Sequence, residues 1–267
     1  MAKIVSIHSF RGGTGKSNTS ANLAAIIAGK GKRVGIIDTD IQSPGVHVLF
    51  GLDEVKMDAS LNDYLWGKCS IEQAAYDVSP ILEADSGEVA VTNGGIYLIP
   101  SSLEAGEITR VLREGYDVGL LNDGFREITR KLDLDYLIID THPGLNEETL
   151  LSISISDVLV IMMRPDRQDY QGTAVTVEIA RMLDTPKLMM VVNKALASFD
   201  LEALKQKVEK TYQVTVAGVM PETEEMIALG SSGIFSLQYP AHSLTKILQD
   251  VARQIMVDEE VDHGRVI

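Results

Sequence analysis

Phe10-Arg11-Gly12-Gly13-Thr14-Gly15-Lys16-Ser17 lies between an apolar run, Ile4 to Ile7, and a helix-like segment, Asn18 to Ala28. Three glycines in four positions let backbone N–H groups turn inward at φ/ψ values a side chain forbids, so the loop can wrap an anionic phosphate chain. The helix start behind it adds a partial positive charge and free donors. Lys16 then belongs on the β- and γ-phosphates and the Ser17 hydroxyl on Mg²⁺. A glycine-rich turn with a chance Lys-Ser pair is the plainer reading. The strand before it and the helix after it argue against that.

Working outward, a chain of 267 residues with 45% apolar and only 5% aromatic content suits one sizeable α/β domain: a single doubly wound, mostly parallel sheet flanked by helices. The domain is expected to span residues 1–256, with 257–267 as an acidic tail. No apolar run reaches membrane-spanning length and Met1-Ala2-Lys3 passes straight into a strand, so a cytoplasmic location is expected. The lone Cys69 excludes an internal disulfide. A net charge of −14 disfavours non-specific DNA, whose grip depends on Lys and Arg, and favours a partner with a Lys/Arg-rich segment.

Two further strands carry acids to the edge where such sheets bind ligands. Arg33 to Asp38 runs into Asp38-Thr39-Asp40, and Tyr136-Leu137-Ile138-Ile139 delivers Asp140, a Walker B pattern in which Asp140 holds Mg²⁺. A strand followed by an Asp-rich turn is the alternative for the first of these. Ser60 to Leu65 and Ile71 to Tyr76 read as short helices, 77–95 as a hairpin or loop insertion, and Ser101 to Asp117 as a polar stretch before a helix from about Gly119 to Leu132. Met162-Met163 reads as core filling and His142 as a loop residue without a partner. Leu244, Ile247, Leu248, Val251 and Ile255 mark one face of a final amphipathic helix.

The loop departs from the plain G-x-x-x-x-G-K-S pattern, since Phe10 stands at the first glycine. It resembles the x-K-G-G-x-G-K-[ST] loop, a deviant Walker A, of the ParA/MinD family of P-loop ATPases, with Arg11 at the signature lysine. Arg keeps the charge and presents a rigid donor fork to phosphate. The resemblance implies an ATP- and Mg²⁺-dependent hydrolase that forms a nucleotide-dependent homodimer and positions a cargo, such as a plasmid, chromosome or division apparatus. It implies that Arg11 acts on the partner subunit's nucleotide, that Asp40 in switch I positions the attacking water, and that Asp38 supports the Mg²⁺ ligands beside Ser17 and Asp140. Gly12, Gly13, Thr14, Gly15, Lys16, Ser17 and Asn18 would cradle the nucleotide, with Asn193 and Pro221 beside the adenine. For Asn193 a turn-forming role after the strand is the alternative. Thr141-His142-Pro143-Gly144 resembles switch II. Relatives for electron transfer or client delivery need cysteines that Cys69 alone does not supply, and the tail lacks the basic membrane anchor of MinD, so attachment by that route is not expected. The alternatives are a scaffold that binds nucleotide but hydrolyses poorly, and a P-loop ATPase for client or cofactor delivery, the latter set back by the cysteine count.

Overall fold

The computed structural model describes residues 2–52, 57–84 and 94–257. Residues 85–93 of the expected insertion, and the tail from 258 onward, lie outside the described residues. In chain order the elements are β1 (Lys3–His8), α1 (Lys16–Ala28), β2 (Arg33–Asp38), α2 (Val46–Leu49), α3 (Leu61–Leu65), β3 (Tyr76–Asp77), α4 (Ile81–Ala84), β4 (Gly95–Ile99), α5 (Ala105–Glu114), α6 (Val118–Lys131), β5 (Tyr136–Asp140), α7 (Glu147–Ile155), β6 (Val158–Met163), α8 (Arg167–Met182), β7 (Lys187–Ala195), α9 (Leu201–Tyr212), β8 (Thr215–Pro221), α10 (Glu224–Leu229), α11 (Phe235–Gln238) and α12 (Ser243–Met256).

The strands form one sheet in the order β3-β4-β2-β5-β1-β6-β7-β8. All neighbours run parallel except β3, which pairs antiparallel with β4. The expected doubly wound, mostly parallel sheet is therefore what the chain builds. Strands covered on both faces need apolar residues at nearly every position, and β5 and β6 are buried along their whole length.

Alternate residues of each strand supply opposite layers. On one face Val5, Ile7, Ile36 and Ile138 pack with Leu23 and Ile27 of α1 and Leu248, Val251 and Ile255 of α12. The other face has two cores: Ile37, Leu137 and Ile139 meet Leu121, Phe125 and Ile128 of α6, while Leu159, Ile161 and Met190 meet Val177 of α8 and Val208 of α9. Helix starts are set locally. The side chains of Asp117, Asp166 and Asp200 accept from the first free amides of α6, α8 and α9, and Ser60 and Asn146 close capping boxes on α3 and α7.

Two expectations are corrected. Ile71 to Tyr76 is turns leading into β3, not a helix. The amides of Gln73, Ala74 and Ala75 bond three residues back, closing turns, and Tyr76 then pairs with Leu98 in β4. The polar stretch before α6 contains a ten-residue helix, α5. It buries only Val111 but is held through its charges, because Trp66 Nε1 donates to Glu107 (2.6 Å) and Arg110 lies over the Trp66 ring.

Candidate functional site

The carboxyl ends of β1, β5 and β2, three adjacent strands, open onto one crevice. β1 ends at His8, and the loop that follows turns through Gly13 at φ 77° and Gly15 at φ 93° before α1 begins. Both values lie in the left-handed region that glycine enters without cost. A Cβ on Gly15 would collide with the Asn193 amide, so the loop also needs glycine there for space. Asn193 sits at the end of β7 and donates from Nδ2 to the Thr14 carbonyl (2.8 Å), bracing the loop from outside. Its Oδ1 accepts from the Lys194 amide (2.8 Å).

Lys16 is buried, and its Nζ donates to Ser9 Oγ (3.3 Å). Burial lowers its pKa, while Asp140, Asp40, Asp38 and Glu148 pull it back up. Ser17 Oγ donates to Asp140 Oδ2 (2.7 Å) and Ser20 Oγ to Asp140 Oδ1 (2.9 Å). Asp38 is level with Asp140 across the β2–β5 pair. Its Oδ2 accepts from the amides of Gly45 (3.0 Å) and Val46 (3.2 Å), its Oδ1 from that of Asp40 (3.1 Å). Both carboxyls are pushed above the usual carboxylate range, chiefly by burial.

Glu148, buried in the first turn of α7, brings a further acid that the sequence reading missed. Thr39 Oγ1 lies 2.5 Å from Glu148 Oε1 and 3.1 Å from the Asp140 carbonyl. Burial, with weaker repulsion from Asp40, Asp38 and Asp140, raises Glu148 to about 8. The Thr39 hydroxyl has one proton for two acceptors, the Glu148 carboxyl and the Asp140 carbonyl, so the protonation of Glu148 decides where that proton goes. His8 was missed as well. Thr141 gives its one proton to the Ile7 carbonyl (3.0 Å) and so accepts from His8 Nδ1 (2.8 Å). That leaves His8 Nε2 buried without a hydrogen-bond partner among the described residues. Burial first, then Lys16 and His142, lower the His8 pKa to about 3, so the ring stays neutral. The signal in the sequence was a histidine in the last position of an apolar strand beside the glycine loop, and two glutamates just after an Asp-Thr strand end.

Arg11 is docked on α8. Its guanidinium donates to the Gln168 side chain and lies 3.8 Å from Asp169, the buried carboxylate that also accepts from Arg164. Phe10 packs where Gly172 of α8 has no Cβ, so the start of the loop is seated on α8. Gly12 abuts Pro143. A cavity of about 420 Å³ continues past the loop, lined by Gly15, Asn18, Asn193, Met220, Pro221 and Met226 among others. Its apolar floor beside a polar cradle suits a flat base.

The crevice fits a phosphate chain with Mg²⁺ on its own chemistry. The Thr14 hydroxyl is buried in the cradle with no hydrogen-bond partner among the described residues. Ser17 and Asp140 are hard oxygen donors in contact. Mg²⁺ binds through one or two carboxylates and takes its remaining ligands from water and phosphate, which these two donors suit.

Residues 2–198 match the AAA domain family. The chain is 26% identical over 259 residues to an uncharacterized ATP-binding protein of Methanocaldococcus jannaschii, spanning 96% of this chain and 88% of that one. It is 24% identical over 261 residues to the septum site-determining protein MinD of Bacillus subtilis, spanning 96% and 90% of the two. Among solved structures it resembles the septum site-determining protein MinD complexed with Mg-ADP from Pyrococcus horikoshii, with a TM-score of 0.75, 20% identity and 96% of each chain covered. At that identity the last likeness speaks for the fold.

Proposed function

The chain belongs to the AAA domain family, in its ParA/MinD group of P-loop ATPases, and from that premise we propose that it is an ATP-dependent dimerisation switch that positions a cellular cargo. The observation that carries this reading is the meeting of Lys16, Ser17, Asp140, Asp38 and Asp40 at one sheet edge beside a base-sized cavity. Relatives named for determining the septum site support the positioning role.

In this proposal ATP is hydrolysed to ADP and phosphate. The amides of residues 12–17, Lys16 and the N-terminus of α1 place positive charge where the phosphates lie, and such charge stabilises a loose phosphoryl-transfer transition state. Ser17 and Asp140 would hold Mg²⁺, which neutralises phosphate charge when bound. Asp38, engaged by its own loop amides, acts on that centre by shaping the segment around Asp40. Asp40 accepts a hydrogen bond from the attacking water and orients it. Asn193 and Pro221 flank the base, with Asn193 tying that end of the pocket to the loop. Arg11 would leave Gln168 and Asp169 to reach the nucleotide of a second copy.

The acidic chain favours an activator with a Lys/Arg-rich segment and disfavours non-specific DNA as the surface it works on. We place it in the cytoplasm. Among the described residues no helix is long and apolar enough to cross a membrane. The docking of Arg11 on its own chain favours, as a second reading, a scaffold that binds nucleotide but turns it over poorly.

The test is mass in solution and phosphate release with Mg-ATP, for the wild type and Asp40→Ala. A dimer with ATP that persists in the variant, and turnover lost in it, are expected. Bound nucleotide with a monomer throughout would overturn the switch; absence of Mg-dependent nucleotide binding would overturn the whole reading. Bound nucleotide and dimer without turnover, even with activator, would select the scaffold.

A further inference from the structure

Because β2 and β5 are level at Asp38 and Asp140, the residues two positions further on leave the sheet edge side by side. These are Asp40 and His142. His142 Nδ1 lies 2.7 Å from Asp40 Oδ1, with both side chains largely shielded from solvent at 20% and 13% exposure. A carboxylate only accepts, so Nδ1–H is the donor. The Ser43 amide (3.2 Å) and hydroxyl (3.0 Å) reach the same Oδ1. Three donors on one oxygen fix the plane of the carboxylate. Among the described residues nothing hydrogen-bonds Oδ2, which keeps its capacity to accept.

Both residues follow an anchored threonine, and they differ in what comes after. Thr39 bonds to the Asp140 carbonyl through amide (3.0 Å) and hydroxyl (3.1 Å), but the other hydrogen bonds of Asp40 itself stay within residues 38–43. The segment of His142 is tied to β1 and the glycine loop on both sides. Before it, Thr141 is bonded to Ile7 through both amide (3.3 Å) and hydroxyl (3.0 Å). After it, Pro143 rests against Gly12, and the Gly144 amide donates to the Ser9 carbonyl (3.0 Å). The imidazole thus ties Asp40, whose other hydrogen bonds are local, to the wall of the phosphate cradle.

We propose that His142 is a positioning residue for hydrolysis: it donates to Oδ1 of Asp40 and thereby aims Oδ2 at the attacking water. This rests on the hydrolytic reading above and adds a residue to it. The histidine does not touch the nucleotide and exchanges no proton in the reaction. Its removal leaves ATP bound and the water-orienting carboxylate unaimed, and misplacement of a reacting group by about an ångström costs on the order of a hundredfold in rate.

The experiment compares wild type, His142→Ala and His142→Asn in single-turnover and steady-state hydrolysis with Mg-ATP. The Asn amide nitrogen stands close to where Nδ1 stands and can donate the same hydrogen bond. His142→Ala should lose roughly 10- to 100-fold in kcat with KM for ATP within about twofold, and His142→Asn should recover to within about threefold of wild type. Nitrogen NMR of the wild-type ring should show the Nδ1-protonated tautomer and should lose it in Asp40→Leu. Full activity in His142→Ala, equal loss in Ala and Asn variants, or an Nε2-protonated ring in wild type would each overturn the proposal alone. A wild type that hydrolyses no ATP would overturn the parent reading and this one with it.

Discussion

The ends of β2 and β5 are near-copies in sequence and opposites in use. Each strand runs out as a buried aspartate, a buried threonine and a third, more exposed residue: Asp38-Thr39-Asp40 and Asp140-Thr141-His142. The register sets the aspartates level. Asp140 nevertheless reaches outward to Ser17 and Ser20 of α1, whereas Asp38 folds its own following loop around itself through the amides of Asp40, Gly45 and Val46. The threonines divide likewise. Thr141 is tied to backbone of β1, and Thr39 is tied to the acid Glu148. Strand register decides which residues arrive together, and the partners offered by the segment behind each strand decide what each does.

The comparison breaks most readily at the aspartates. Asp140→Ala removes the carboxylate that accepts from Ser17 and should weaken the Mg²⁺-dependent share of ATP affinity by about 100-fold, read by calorimetry with Mg-ATP and with ATP in EDTA. Asp38→Ala strips acceptors from three loop amides; it should cost about 1–3 kcal/mol of stability by thermal melt and less of the magnesium dependence. Matching profiles for the two variants would mean that the register alone fixes their roles.

Exchanging the third residues sharpens the same point. Asp40→His combined with His142→Asp keeps the hydrogen-bonded pair and moves the carboxylate from one strand end to the other. The double variant should melt close to wild type and turn over ATP no faster than Asp40→Ala. Recovery of turnover would show that the pair matters and its direction does not.

Much of this was legible in the chain because the signals are local. The glycines of the loop, the apolar runs Val34 to Ile37 and Leu137 to Ile139, and the acids that end them each announce themselves within six residues. The face of α12 did so by helical spacing, and Leu248, Val251 and Ile255 are indeed buried. The contacts that organise the site were not legible. Arg11 to Gln168, Asp40 to His142 and Thr39 to Glu148 are separated by 157, 102 and 109 residues. Each depends on how neighbouring strands are ordered, and no periodicity encodes that. Helix α5 escaped for another reason: Ile108, Val111 and Leu112 do recur at helical spacing, but they make a single turn among charged residues, and Val111 alone is buried.

The smallest expected effect tests the middle position of the two strand ends, where one threonine meets a titratable partner and the other does not. Glu148 is raised to about 8 in the fold, mainly by burial, and returns to the ordinary range of about 4.3 when unfolded. Between those values the folded chain holds a proton that the unfolded chain has released, so stability falls as pH rises, by at most about 1.4 kcal/mol per pH unit from this group. His8, lowered to about 3, acts in the opposite sense, and its contribution fades as pH rises past its ordinary value of about 6.5. It is the same in wild type and variant, so the comparison across about pH 6.5 to 8 removes it. Asp38, also raised, contributes a slope of the same sign as Glu148 and remains in the variant. In metal-free buffer the melting temperature should fall across that window, and Glu148→Gln, which keeps a donor for Thr39 but cannot ionise, should flatten the fall by a few degrees. Equal slopes would mean that Glu148 is ionised throughout. The Thr39 proton would then close the contact to Glu148, and the two threonines would differ only in their addresses.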